Sequence, residues 1–203
     1  MFTPVNYLSY HIFCNIENKR HHFIGGVYMK KKHIKGIIFL VPLIFLFITF
    51  LVFIPYKQAL VFEYQNTEKV LAYFPLTEEQ TFKIKYTHSI HLSDVVESYR
   101  ITDDGSIQQY ELMYEDFAIG MPSTASEGEV FEEKDGKYYI KNMKNTFPYF
   151  DLRTGQVRAN HRVIINEKEY PLSSYIKQGT WVRIKVEKLT FLQALKGVNI
   201  IES

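Results

Sequence analysis
The chain has 203 residues, with 24 Lys and Arg against 22 Asp and Glu, and a single cysteine. A net charge of +2 gives no basic footprint for nucleic acid, and one thiol excludes a disulfide framework within the chain. What remains is a chain with enough apolar residues, 46%, for one packed core of ordinary size.

Residues 1–28 mix aromatics, His21-His22 and Gly25-Gly26 without a period. Met29-Lys30-Lys31-Lys32 reads as the natural start of a membrane anchor, so the upstream stretch is expected to be a gene-start error. The alternative is a short cytoplasmic tail.

Gly36 to Ile54 are nineteen consecutive uncharged residues, sixteen of them Ile, Phe, Leu or Val. As a helix rising about 1.5 Å per residue they reach roughly 28 Å, close to the hydrocarbon thickness of a bilayer. Each central Leu, Ile, Phe or Val favours insertion by about 0.3–0.6 kcal/mol, and Gly36 and Pro42 are tolerated in spanning helices. No small-residue cleavage site follows in Pro55-Tyr56-Lys57-Gln58-Ala59-Leu60, which favours an uncleaved anchor over a signal peptide. Lys30, Lys31, Lys32 and Lys35 precede the run, and only Lys57 follows closely. Positive flanks stay in the cytoplasm, so residues 29–56 are expected to form the basic flank and single-pass anchor, with 57–203 outside the cell membrane. Cys14 lies upstream, leaving the outer domain without a thiol.

In 57–203, 18 Lys and Arg face 21 Asp and Glu, a balance of −3. Period-two alternation dominates. Phe82, Ile84, Tyr86 and His88 share one face of a strand, and Val95, Glu97, Tyr99 and Ile101 share a face of the next. Tyr110, Leu112 and Tyr114 alternate with Glu111 and Glu115, and Val182, Ile184 and Val186 alternate with Arg183, Lys185 and Glu187. Shorter strands are expected at Val70–Phe74, Tyr138–Lys141 and Val163–Ile165. Turn signals stand at Asp103-Asp104-Gly105, Lys134-Asp135-Gly136, Thr154-Gly155 and Asn166-Glu167. The acidic stretch Glu127-Gly128-Glu129 to Glu132-Glu133 reads as a solvated loop. One short helix is expected at Phe191–Lys196, capped by Thr190 and ended by Gly197. The expected fold class is all-β, an antiparallel sandwich or barrel-like outer domain after one N-terminal transmembrane helix.

Three polar stretches are candidate binding sites. In Tyr86-Thr87-His88-Ser89-Ile90-His91, a four-residue loop at 91–94 sets His88 opposite Glu97, a pair that would hold the imidazole in one tautomer. The alternative is a core pair that fixes strand register. Ser89 points away from His88, which disfavours a Ser–His nucleophile, and His91 has the wrong parity to complete a metal set with His88 and Glu97. The stretch Phe117 to Gly128 offers backbone freedom at Gly120, stiffening at Pro122 and small hydroxyls after it, suited to cradling a ligand or docking a partner; the alternative is an ordinary surface loop. Asn160 and His161 precede a strand, where such residues satisfy a turn or line a site. No phosphate loop, nucleophile elbow, zinc spacing or dinucleotide fingerprint occurs, so no cofactor and no metal is expected.

Tyr-x-His-Ser-Ile at 86–90 with Glu97 downstream, Gly-Met-Pro at 120–122, Leu-Arg…Asn-His at 152–161 and Tyr-Pro-Leu at 170–172 together resemble the bacterial domain of unknown function 1850 family. The resemblance spans roughly residues 60–190, with His88, Ser89 and Glu97 its most specific part. Members often carry Gly-Ala-Gly before the Pro, where this chain has Ala118-Ile119-Gly120. The resemblance implies a small, membrane-anchored protein associated with TAXI-type tripartite ATP-independent transporters, whose permease or solute-binding protein would be its partner. It implies no reaction. The expected function is a membrane-anchored extracytoplasmic accessory or binding domain. The alternatives are a small hydrolase or isomerase using His88 and Glu97 as acid and base, or an envelope structural domain.

Overall fold
The structure, a computed structural model, describes residues 31–76, 81–116, 121–155 and 158–202, with side chains omitted at 31–37. The expectations for residues 1–28, Cys14 and Gly120 therefore lie outside the described residues. The chain divides into two compact units, 1–45 and 46–203.

Helix α1, Lys31–Val52, covers most of the apolar run. Its described side chains, from Ile38 onward, are apolar and mostly exposed, apart from Thr49. Among the described residues no helix is long and apolar enough to cross a membrane.

The second unit is mostly β and built on two sheets. Its strands are β1 (Pro55–Tyr64), β2 (Val70–Pro75), β3 (Thr81–Thr87), β4 (Asp94–Ile101), β5 (Ile107–Tyr114) and β6 (Val130–Lys134). There follow β7 (Lys137–Phe147), β8 (Tyr149–Arg153), β9 (Arg162–Ile165), β10 (Lys168–Pro171), β11 (Trp181–Thr190), helix α2 (Phe191–Lys196) and β12 (Val198–Asn199). The five-stranded sheet runs β12-β2-β1-β11-β8, and the seven-stranded sheet runs β10-β9-β3-β4-β5-β7-β6. All pairings are antiparallel except β12 with β2.

The alternating residues do what their period demands. Leu60, Phe62, Val182 and Ile184 from the first sheet meet Phe82, Ile84, Tyr99 and Val163 from the second in one buried cluster. Burying such side chains stabilises the fold by about 1.5–3 kcal/mol each. Strand β1 has no alternation because both of its faces are covered, so period-two reading passes over it. Ala59 and Val61 lie on its outer face with Val70, Tyr73 and Leu189, packed against Ala194 of α2. The short strands β6, β8 and β10 also fall outside the expected set.

Three sequence expectations need correction. Strands β3 and β4 pair with Thr81 opposite Arg100 and Thr87 opposite Asp94, which places Ile84, not His88, opposite Glu97. The connecting loop is six residues, 88–93, rather than four. It is closed by His88 N–H to Ser93 O and Leu92 N–H to His88 O, with Leu92 in a left-handed conformation at φ 58°. The register shift is even, so the expected inward face of each strand survives. Second, a bulge between Gln109 and Glu111 turns Tyr110 off the buried face, where it lies under the Arg100 guanidinium. Third, Glu132 and Glu133 belong to β6, paired with Tyr139 and Tyr138 of β7. Asp135 and Gly136, at φ 54° and 72°, make the tight reversal that holds this hairpin, and Lys141 pairs with Glu132.

Helix α2 forms as the residues dictate. The Thr190 hydroxyl accepts from Gln193 N–H, and the Gln193 side chain accepts from Thr190 N–H, a reciprocal cap. Gly197 ends the helix where a side chain would not fit, since an added Cβ would lie 2.7 Å from Val70 Cγ1.

Candidate functional site
Strand pairing aligns a row of rings across one end of the seven-stranded sheet. Tyr86 of β3 faces Val95 of β4, Val95 faces Tyr114 of β5, and Tyr114 faces Tyr138 of β7. At one end of the row the His161 ring stacks on Tyr86 at 5.4 Å. At the other, Tyr114 and Phe131 flank Tyr138 at 5.5 and 6.0 Å. The Tyr114 hydroxyl donates to the carbonyl of Pro122, so the 121–122 segment is fastened to this row.

One strand position in from the row lies Glu97, between Ile84 and Leu112. Its neighbours on both sides are apolar because it shares the buried face of β4 with Val95 and Tyr99. Burial pushes its carboxyl above the ordinary value of 4.5, against the opposing effect of the Tyr99 hydroxyl, which donates to Oε2 at 2.7 Å. Tyr99 is itself clamped between Phe82 and Phe150, with ring centroids at 5.1 and 5.0 Å. This three-ring stack joins the two sheets and fixes where the donor points. Burial and the nearby Glu97 push the Tyr86 phenol up to about 12, and Tyr99 higher still, so both remain donors.

His161 sits just before β9. Gly155 N–H donates to its Nδ1 at 3.1 Å, which leaves the ring proton on Nε2 in the neutral tautomer. Burial holds its pKa below 6.5.

The expected site residues separate into two sets. Glu97 and His161 are both half-buried beside Tyr86. His88, Ser89 and Asn160 form the other set: His88 and Ser89 lie in the 88–93 loop and Asn160 is exposed at φ 38°. His88 is four residues beyond Glu97's partner Ile84, about 13 Å along the strand. It therefore forms no acid–base pair with Glu97, and its ring instead lies 5.8 Å from His91. These loops still gather at the same end. Thr87 N–H donates to Ala159 O, and Arg158 reaches Ser89 O at 3.4 Å. Pro122 arrives through Tyr114, and Gly120 lies outside the described residues.

The sequence reading passed over Tyr86, Tyr99, Tyr114 and Tyr138 as site residues. Their signal was present in the Tyr-rich strands, but a ring in a strand reads first as packing. Chemically, the row offers ring faces for a flat or apolar ligand, and one carboxyl that carries a proton more readily than an exposed one. Among the described residues no group of three His, Cys, Asp or Glu is placed to hold a metal ion.

The family model described as a domain of unknown function, DUF1850, matches residues 82–172. That stretch contains nearly all of the seven-stranded sheet, including Glu97, His161 and the row of rings. Strands β1, β2 and β11, which complete the core, lie outside it. No curated protein and no solved structure matches the chain. Through residues 82–172, the chain is similar to the domain of unknown function 1850 family.

Proposed function
We propose that this protein is a membrane-anchored extracytoplasmic binding or accessory domain, with residues 57–203 outside the cell and the lysines before Gly36 in the cytoplasm. The observation that carries it is the run Gly36–Ile54, nineteen uncharged residues directly behind Lys30, Lys31, Lys32 and Lys35. The helical conformation of most of this run and the exposure of its apolar side chains support the reading. Two packed sheets without a thiol suit an antiparallel sandwich that folds outside the cell on its core alone.

The end of the seven-stranded sheet bearing Tyr86, Tyr114, Glu97 and His161 is the binding surface in this proposal. Rings give it area, and Glu97 gives it one polar anchor. The family resemblance points to a TAXI-type transporter permease or its solute-binding protein as the partner. Purification of the full chain in mild detergent from cells that express both should bring one of them down. Isolation free of both under those conditions overturns the transporter role. Retention after alkaline extraction of membranes tests the anchor separately, and release into the soluble fraction contradicts it.

A further inference from the structure
Beyond Ile54, nine large apolar side chains are exposed among the described residues, and five of them stand at one edge of the β domain: Tyr56, Phe191, Leu195, Val198 and Ile201. The chain's own register brings Tyr56 and Phe191 together, while Leu195, Val198 and Ile201 follow along α2 and β12. Pro55 pairs with Thr190, so the first residues of β1 lie beside the first residue of α2. Ile48, Leu51, Val52, Ile54, Tyr56 and Phe191 line one apolar hollow there. Tyr56 and Phe191 thus join the patch to the apolar segment that enters β1.

The edge is also held firmly. The reciprocal cap at Thr190 and Gln193 sets α2, and Gly197 is pressed against Val70 and Tyr73. Ile200 is fully buried and its N–H donates to Tyr73 O, which fastens the chain between Val198 and Ile201. Leu195, 71% exposed, is therefore displayed by a fixed scaffold rather than by a frayed end. Lys57, Lys188 and Lys196 flank the patch, with Glu202 as a neighbouring acid. Rings and aliphatic side chains beside lysines are the composition of a surface that sits at the boundary between headgroups and acyl chains.

We propose that the edge formed by α2 and β12 contacts the lipid surface of the membrane that holds the anchor, seating the base of the domain in the headgroup region. This inference rests on the anchor reading above. The occupant is lipid because the patch meets the apolar segment at Tyr56 and Phe191, and because its lysines suit anionic headgroups. Seated this way, the domain is oriented by two points rather than swinging on one linker.

The test uses the full chain with Cys14→Ser, reconstituted in vesicles of zwitterionic and anionic phospholipid, carrying one spin label at a time. Labels replace Leu195 and Ile201 in the patch and Ile44 in the anchor. A further label replaces Gln178, exposed in the turn before β11. Gln178 lies near the opposite end of the β1–β11 pair, about 30 Å away at roughly 3.3 Å per residue. The ratio of collisions with oxygen to collisions with a water-soluble nickel chelate should be several-fold higher at 195 and 201 than at 178. A ratio at both patch positions equal to that at 178, with 44 buried in lipid, overturns the lipid contact and leaves the anchor standing. Water-like collisions at 44 overturn the anchor itself. Shielding of 195 from both reagents together with spin–spin broadening places a second copy on the patch, and also overturns the proposal.

Discussion

Two glutamates, Glu63 fully buried and Glu97 half-buried, divide the domain into a finished region and an unfinished one. Glu63, 1% exposed on the outer face of β1, accepts Glu68 N–H at 2.9 Å on Oε1 and forms an ion pair through Oε2 with the Lys185 ammonium at 2.5 Å. Burial opposes its ionisation, but Lys185, the Glu68 amide and the more distant Arg183 together hold its pKa below 4.5. Glu97 has the Tyr99 hydroxyl as its hydrogen-bond donor, no cation paired with it among the described residues, and a raised pKa. The first carboxyl is spent on structure. The second keeps the capacity to take a proton or a ligand's donor, and it lies in the segment that the family model matches.

The comparison can be broken at several points, with effects of decreasing size. Tyr99→Ala removes the ring that joins Phe82 and Phe150 as well as the donor to Glu97, and should cost about 3–5 kcal/mol in urea unfolding. Lys185→Met leaves Glu63 buried without its cation and should cost about 2–3 kcal/mol at neutral pH. Thr190→Ala dissolves the reciprocal cap of α2 at about 1 kcal/mol, read by the same unfolding curves.

The smallest effect sharpens the contrast through its sign. A carboxyl whose pKa is lowered by folding, as at Glu63, adds stability above its ordinary value of 4.5 and loses it as the pH falls. A carboxyl whose pKa is raised, as at Glu97, binds its proton more tightly when folded, so it subtracts stability as the pH rises above 4.5. Glu97→Gln should therefore raise Tm at pH 7 and converge on the parent below pH 4.5, whereas Lys185→Met should lower Tm at pH 7 and converge in acid. Equal pH dependence in parent and Glu97→Gln would contradict the raised pKa.

How far the sequence could be read follows from the same physics. Alternation marks strands with one wet face, and it placed Phe82, Ile84, Tyr86, Glu97 and Tyr99 on the buried side. It could not mark β1, whose residues 59–63 are buried consecutively because α2 covers the other face of the sheet. Loop length is not written in alternation either. A four-residue and a six-residue connection keep the same parity, which is why Glu97 was identified while its partner was not. His161 was legible as a residue before a strand, but its stacking on Tyr86 depends on β9 pairing with β3, whose nearest paired residues, Lys85 and Arg162, are far apart in the chain. Thr190 and Gly197 were legible in full, because a cap is decided within one helical turn.

The central claim is that the β domain stands outside the cell on an apolar helix. Protease added to intact spheroplasts tests it most directly, with C-terminal detection of the chain by immunoblot. The account predicts that residues 57–203 are cut while a cytoplasmic marker stays whole. Survival of the domain until the membrane is broken, in a preparation where a known outer-facing protein is digested, would contradict it.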